Sequence, residues 1–110
     1  MRFVDVEPPA KFTGDWRIYY VNGHIFSEGQ YKNGRAEGKG VVFFPDGKKL
    51  MEQTVSSAKG KFEVEETSYY PSGSVKHKGH YEDNKQAGTW TWYNEDGSVQ
   101  SKREFPNPQN

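Results

Sequence analysis

Two imidazoles three residues apart, in His77-Lys78-Gly79-His80, are the first groups in this chain whose type and spacing could do chemistry, because paired histidines are common metal ligands. On a helix that spacing would aim both at one ion, whereas on a strand an odd spacing sends them to opposite faces. The second candidate is Gly34-Arg35-Ala36-Glu37-Gly38-Lys39-Gly40, which has the outline of a phosphate loop. It has one residue too few between its first two glycines, Gly40 where a magnesium-binding Ser or Thr should stand, and no helical pattern after it. The third is the carboxylate group Glu63, Glu65 and Glu66, of the type used in acid–base catalysis. Glu63 and Glu65 would share a strand face, but nothing nearby implies a pocket, and a solvated charged face is expected, with solvated histidines at 77 and 80. There is no Gly-x-Ser-x-Gly elbow, and without cysteine no thiol nucleophile. The expectation is a protein that is not an enzyme, with no catalytic residue, no metal and no cofactor.

What must position these residues is set by composition and then by pattern. The 110 residues carry 15 basic and 15 acidic side chains, for a net charge of zero, and 3 Trp, 7 Tyr and 7 Phe. One small domain fits that length. Aliphatic residues are too few for a thick aliphatic core, so folding rests on whether the rings meet. Basic and acidic residues balance in both halves, which argues against nucleic acid as a partner. No apolar run is long enough to span a membrane. Arg2, Asp5 and Glu7 stand where a signal peptide needs an apolar stretch, so a cytoplasmic location is expected.

The pattern is a repeat. Asn22-Gly23, Asp46-Gly47, Ser72-Gly73 and Asp96-Gly97 place turn glycines at spacings of 24, 26 and 24 residues. Aromatic pairs precede them, Tyr19-Tyr20, Phe43-Phe44, Tyr69-Tyr70 and Trp92-Tyr93, and a further glycine stands nine residues before three of the turns, at Gly14, Gly38 and Gly88. The two extra residues fall in Ser56-Ser57-Ala58-Lys59-Gly60. Each unit reads as strand, two-residue turn, strand, then a looser connection rich in Gly and Asn. Alternation puts Trp16, Ile18 and Tyr20 on one face and Asp15, Arg17 and Tyr19 on the other. The return strands add Ile25, Tyr31, Val75, Tyr81, Val99 and Phe105 to the first face, and that face is expected to bury Trp16, Trp90, Tyr31 and Tyr81. Gly29 and Gly79 leave room there for a neighbouring ring.

The predicted fold class is all-β, with tandem hairpin repeats in an elongated, twisted antiparallel sheet. Residues 1–13 form an N-terminal extension, with a capping strand at Phe3–Val6. Residues 14–105 form the repeat domain, in units of about 14–37, 38–63, 64–87 and 88–105, and residues 106–110 form a tail.

Gly14-Asp15-Trp16, Tyr19-Tyr20-Val21-Asn22-Gly23, Glu28-Gly29-Gln30-Tyr31-Lys32-Asn33-Gly34 and Glu37-Gly38 together resemble a MORN-repeat variant. They are similar to the bacterial form grouped as YwqK-type antitoxins. The third and fourth copies repeat the pattern in Tyr69-Tyr70-Pro71-Ser72-Gly73, Lys78-Gly79-His80-Tyr81 and Gly88-Thr89-Trp90-Thr91-Trp92-Tyr93. The second departs from it, with Gly40 in the place of Trp16 and Trp90 and Gln53 in the place of a glycine, so distortion is expected in its hairpin. The resemblance implies a binding or scaffold module with no active site and, for some members, a link to membranes or phosphoinositides.

One ring per copy, Tyr19, Phe43, Tyr69 and Tyr93, falls on the face opposite the tryptophans. The row is either an internal stack that stiffens the sheet or, with Arg17 and Phe26, a strip that contacts a protein partner. A carbohydrate or lipid-headgroup binder would use the same rings; the first needs flanking amides, but Asn22, Asn33, Asn84 and Asn94 are tied to turns, and the second needs a basic cluster, for which Lys39, Lys48 and Lys49 are a thin one. The sequence leaves the oligomeric state open.

Overall fold

The computed structural model of the chain describes residues 11–58 and 61–106. Nine strands form one antiparallel sheet: β1 (Gly14–Tyr19), β2 (Ile25–Lys32), β3 (Arg35–Ala36), β4 (Gly38–Phe43), β5 (Lys49–Ala58), β6 (Lys61–Tyr69), β7 (Val75–Glu82), β8 (Lys85–Tyr93) and β9 (Val99–Phe105). Their spatial order is β1-β2-β4-β5-β6-β7-β8-β9, with the short β3 paired to β2. The sheet is thus an open meander with β1 and β9 at its edges, and its extents of 38 × 36 × 19 Å are those of a single layer. There is no helix among the described residues. The expected capping strand Phe3–Val6 lies outside them, as does the tail beyond Pro106.

All four turns stand where the glycines place them, but they are one residue longer than a two-residue turn. In each, the glycine amide donates to the carbonyl three residues back, as Gly23 does to Tyr20 at 3.0 Å, and the first residue donates across the loop, as Tyr20 does to His24 at 2.8 Å. Only the glycine has a positive φ, 93° at Gly23, Gly47 and Gly97 and 100° at Gly73. A two-residue hairpin turn of the Asn-Gly kind needs positive φ at both central residues, whereas a type I turn followed by a left-handed glycine needs it once. The Asn or Asp before the glycine then closes the loop, Asn22 Oδ1 accepting from the His24 amide and Asp46 Oδ1 from that of Lys48, both at 3.0 Å. The tight two-residue turns lie instead between the repeats. Asn33 and Gly34, at φ 51° and 82°, and Asp83 and Asn84, at 49° and 68°, carry the paired positive values, so the connections expected to be loose are the sharpest in the sheet.

Past each glycine turn the return strand holds one unpaired residue, Phe26, Leu50, Lys76 or Gln100. These bulges set Ile25 opposite Tyr19, Val75 opposite Tyr69 and Val99 opposite Tyr93. Those three aliphatics therefore share the face of the first rings rather than that of Tyr31, Tyr81 and Phe105, because one extra residue advances the alternation by a step. The second hairpin carries the same bulge and turn as the others, so its expected distortion is absent there. What differs is its junction with β2, where the Ser27–Val42 and Glu28–Val41 pairs suffice to join β2 to β4. The extra residues at 56–60 lengthen a regular hairpin, since β5 and β6 pair out to Ala58 and Lys61.

Packing centres on Trp90, which is 2% exposed. Its indole lies over Gly79, where a Cβ would come within 2.1 Å of the ring. Tyr81 meets it edge-on at 5.1 Å, and its Nε1 donates to the His80 carbonyl at 3.0 Å. Trp16, Tyr31 and Tyr81, expected to be buried, are half-buried. Among the described residues no second layer covers this face, so a ring is enclosed only where its neighbours in the sheet are themselves large.

Candidate functional site

In the first and third aromatic pairs the two rings leave the strand on opposite faces and do different work. The second ring joins hairpins: Tyr20 Oη donates to the Phe43 carbonyl at 2.8 Å and Tyr70 Oη to the Tyr93 carbonyl at 2.6 Å. Asn22 Nδ2 adds a bond to the Pro45 carbonyl at 3.1 Å. These links were missed at the sequence level, although the repeated pair carried the signal, since only a Tyr in the second position has a hydroxyl to send across.

The last paired residue before each glycine turn, Tyr19, Phe43, Tyr69 or Tyr93, carries a ring on the other face, and these four, called the first rings, form a row. Tyr19 is 56% exposed, and Phe43, Tyr69 and Tyr93 are half-buried. Among the described residues no ring contact joins any two of the four, so the row is not an internal stack. Arg17 stands beside it, with Nε donating to Glu28 Oε1 at 3.0 Å. Phe26 does not join the row. It is the bulge residue of β2, and its ring meets Tyr20 edge-on at 5.2 Å.

Tyr69 and Glu52 anchor the middle of this face. The Tyr69 hydroxyl donates to Glu52, whose other oxygen takes Lys39 Nζ at 3.2 Å and Lys49 Nζ at 3.1 Å. The hydrogen bond from Tyr69, followed by that from Lys49, holds the Glu52 carboxyl down at about 2, and the same bond to Glu52 pushes the Tyr69 hydroxyl up to about 12. Two of the three lysines that formed the basic cluster in the sequence are therefore engaged by one carboxylate.

The histidines lie on opposite faces, as strand geometry requires, but they are not solvated. His80 Nδ1 faces Glu65 Oε2 at 2.5 Å, and its other nitrogen lies 3.7 Å from Glu82 and 3.9 Å from Glu63. His77 Nε2 faces Glu66 Oε2 at 2.7 Å, and Gln53 Nε2 donates to Glu66 Oε1 at 2.7 Å. Glu66 is 7% exposed, which corrects the expectation of a solvated carboxylate. The signal was present, because Glu66 alternates in phase with Val64 and Ser68, both buried, and Gln53, standing where the first and third copies have glycine, supplies the amide that a buried carboxylate requires. Among the described residues no group of three or more His, Asp or Glu is placed to hold a metal ion.

A basic cleft of about 820 Å³ opens at the end of the sheet, lined by Lys11, Lys32, Arg35 and Lys61 with Glu37, Ser57 and Phe62. Two of the four asparagine amides are engaged at their turns, as expected: Asn22 as above, and Asn94 through Nδ2 to Ser98 Oγ at 3.0 Å. Among the described residues no helix is long and apolar enough to cross a membrane.

The fold and these surfaces define a tandem-hairpin repeat module. A family model described as the MORN repeat variant matches residues 12–33, 62–83 and 86–107, more than half of the chain, and the protein belongs to that family. The matches fall on the first, third and fourth hairpins; the second, with Gly40 where the first and fourth have Trp16 and Trp90, is unmatched. Repeats of this kind are often modules for membrane or protein interaction. No curated protein and no solved structure matches the chain.

Proposed function

We propose that the chain is a non-catalytic, cytoplasmic interaction module that binds a protein partner through the row of Tyr19, Phe43, Tyr69 and Tyr93 and the adjoining Arg17. The observation that carries this reading is the row itself. Four equivalent rings stand along one face without stacking on one another, beside charged groups, and Tyr19 is 56% exposed. Aromatic and Arg side chains in such surroundings are the usual anchors of protein interfaces. The resemblance of Gly14–Gly38 to the bacterial YwqK-type antitoxin form makes a protein target the first partner to seek.

Cross-linking in the native host followed by mass spectrometry identifies the partner, and Tyr19→Ala and Tyr93→Ala are then titrated against it. Neither ring holds the Glu52 network, so each variant should stay folded, and loss of an anchor should cost about 2 kcal/mol or more of binding. Parent-like affinity in both variants would place the contact elsewhere.

A second reading, an anionic lipid headgroup, is favoured by the cleft at Lys11, Lys32, Arg35 and Lys61. Sedimentation with phosphoinositide vesicles tests it. Binding that weakens with salt and is lost in Lys32→Glu/Arg35→Glu supports it, and binding unchanged by that variant rejects it.

A further inference from the structure

The first two hairpins correspond to the last two residue by residue at a spacing of fifty positions. Ser27 matches His77, Gly29 matches Gly79, Tyr31 matches Tyr81, Val42 matches Trp92 and Val55 matches Phe105. At the centre of the set the correspondence breaks, with Gly40 where the fourth hairpin has Trp90. The Trp90 indole is surrounded by His77, Tyr81, Trp92 and Phe105, at ring-centre distances of 5.6, 5.1, 6.1 and 6.4 Å. In the N-terminal half the counterparts of those four residues line a cleft of about 140 Å³ together with Gly29 and Gly40. A Cβ on Gly29 would meet nothing nearer than the Gly40 Cα at 3.9 Å. The cleft is the mould of an indole that this half of the chain does not supply, close in size to the cavity of roughly 150 Å³ that takes up a benzene ring in another protein. The acceptor is in place as well. Gln30, the counterpart of His80, takes the Glu37 amide on its carbonyl at 2.9 Å, and a carbonyl oxygen has a second lone pair for an indole N–H.

We propose that this cleft binds a tryptophan side chain carried by an extended segment of a partner protein. The charges favour a peptide-borne ring over the free amino acid. Lys39 is the one cationic residue along the cleft, and its ammonium turns to Glu52 at 3.2 Å on the other face, so a free carboxylate finds no partner there. The cleft lies on the face opposite the row of first rings, and the two surfaces stand or fall separately.

The whole protein, labelled with 15N, is titrated at millimolar concentrations with N-acetyl-tryptophanamide, N-acetyl-leucinamide and free tryptophan. The expected result is a saturable shift of the Gly29, Gly38 and Gly40 amides by the capped tryptophan, several-fold tighter than by the other two probes and unchanged in Tyr19→Ala. Gly40→Trp supplies the tryptophan of the first and fourth copies and should raise the denaturation midpoint while abolishing the shift. Gly29→Leu plugs the cleft from the other strand and decides the matter if Gly40→Trp does not fold. The proposal is overturned if the capped tryptophan leaves these glycines unmoved, if a folded plugged variant binds as the parent does, or if free tryptophan or the leucine probe binds as tightly.

Discussion

Tyr69 and Glu52 illustrate how much one bond can carry on a face that is mostly wet. With its carboxyl held at about 2 against an ordinary 4.5, Glu52 contributes stability that is present above pH 4.5 and is lost as the pH falls toward 2. Tyr69 works in the opposite sense. Its hydroxyl, raised from 10 to about 12, contributes stability that is complete below pH 10 and disappears as the pH rises toward 12. Denaturant midpoints measured across pH should therefore fall at both extremes, by at most about 3 kcal/mol on each side. Tyr69→Phe should flatten the alkaline limb and soften the acid one. At the most enclosed position, Trp90→Ala should cost about 3–5 kcal/mol, whereas Lys78→Ala, on an exposed site, should stay within about 0.5 kcal/mol.

At the scale of the strand and hairpin, Gly29 and Gly79 hold the same place in their units and should respond differently to the same change. Alanine at 79 would drive a methyl group to within 2.1 Å of Trp90, and expelling that ring should cost several kcal/mol, in the range of about 2–5. Alanine at 29 meets only ordinary contacts and should be within about 0.5 kcal/mol of the parent. Thermal unfolding of the two variants checks this. The same contrast shows what was legible in the sequence. Turn positions, strand faces near Trp16 and Trp90, and the need for glycine beneath a ring follow from spacing and alternation alone. The bulges at Phe26, Leu50, Lys76 and Gln100 do not, because an unpaired residue leaves the amino-acid pattern intact while moving Ile25, Val75 and Val99 to the other face. Nor did the buried Glu66 stand out, since a carboxylate reads as surface unless its partners, Gln53 13 residues upstream and His77 11 residues downstream on other strands, are brought beside it. The first-ring row was found from repetition, and its lack of stacking could come only from the distances.

For the molecule as a whole, each strand relies on its sequential neighbours, so stability should decline from the middle of the sheet to its edges. Amide exchange is expected to be slowest in β5, β6 and β7, which are paired on both sides along most of their length, and fastest in the edge strands β1 and β9. Uniform protection across all strands would show a more cooperative unit than this connectivity implies.

The single-layer build also fixes how the protein answers temperature. Among the described residues Trp90 is the most enclosed of the large rings, most other rings are only half-buried, and the molecule measures 19 Å along its shortest axis. Unfolding such a slab uncovers less new hydrocarbon per residue than unfolding a two-layer domain, and hydration of newly exposed hydrocarbon is the source of the heat-capacity increment. That increment should fall below the usual value of about 12–15 cal/mol/K per residue, giving a shallow stability curve whose maximum is broad. Cooling or warming by tens of degrees should change the folding free energy little, and scanning calorimetry reads this directly.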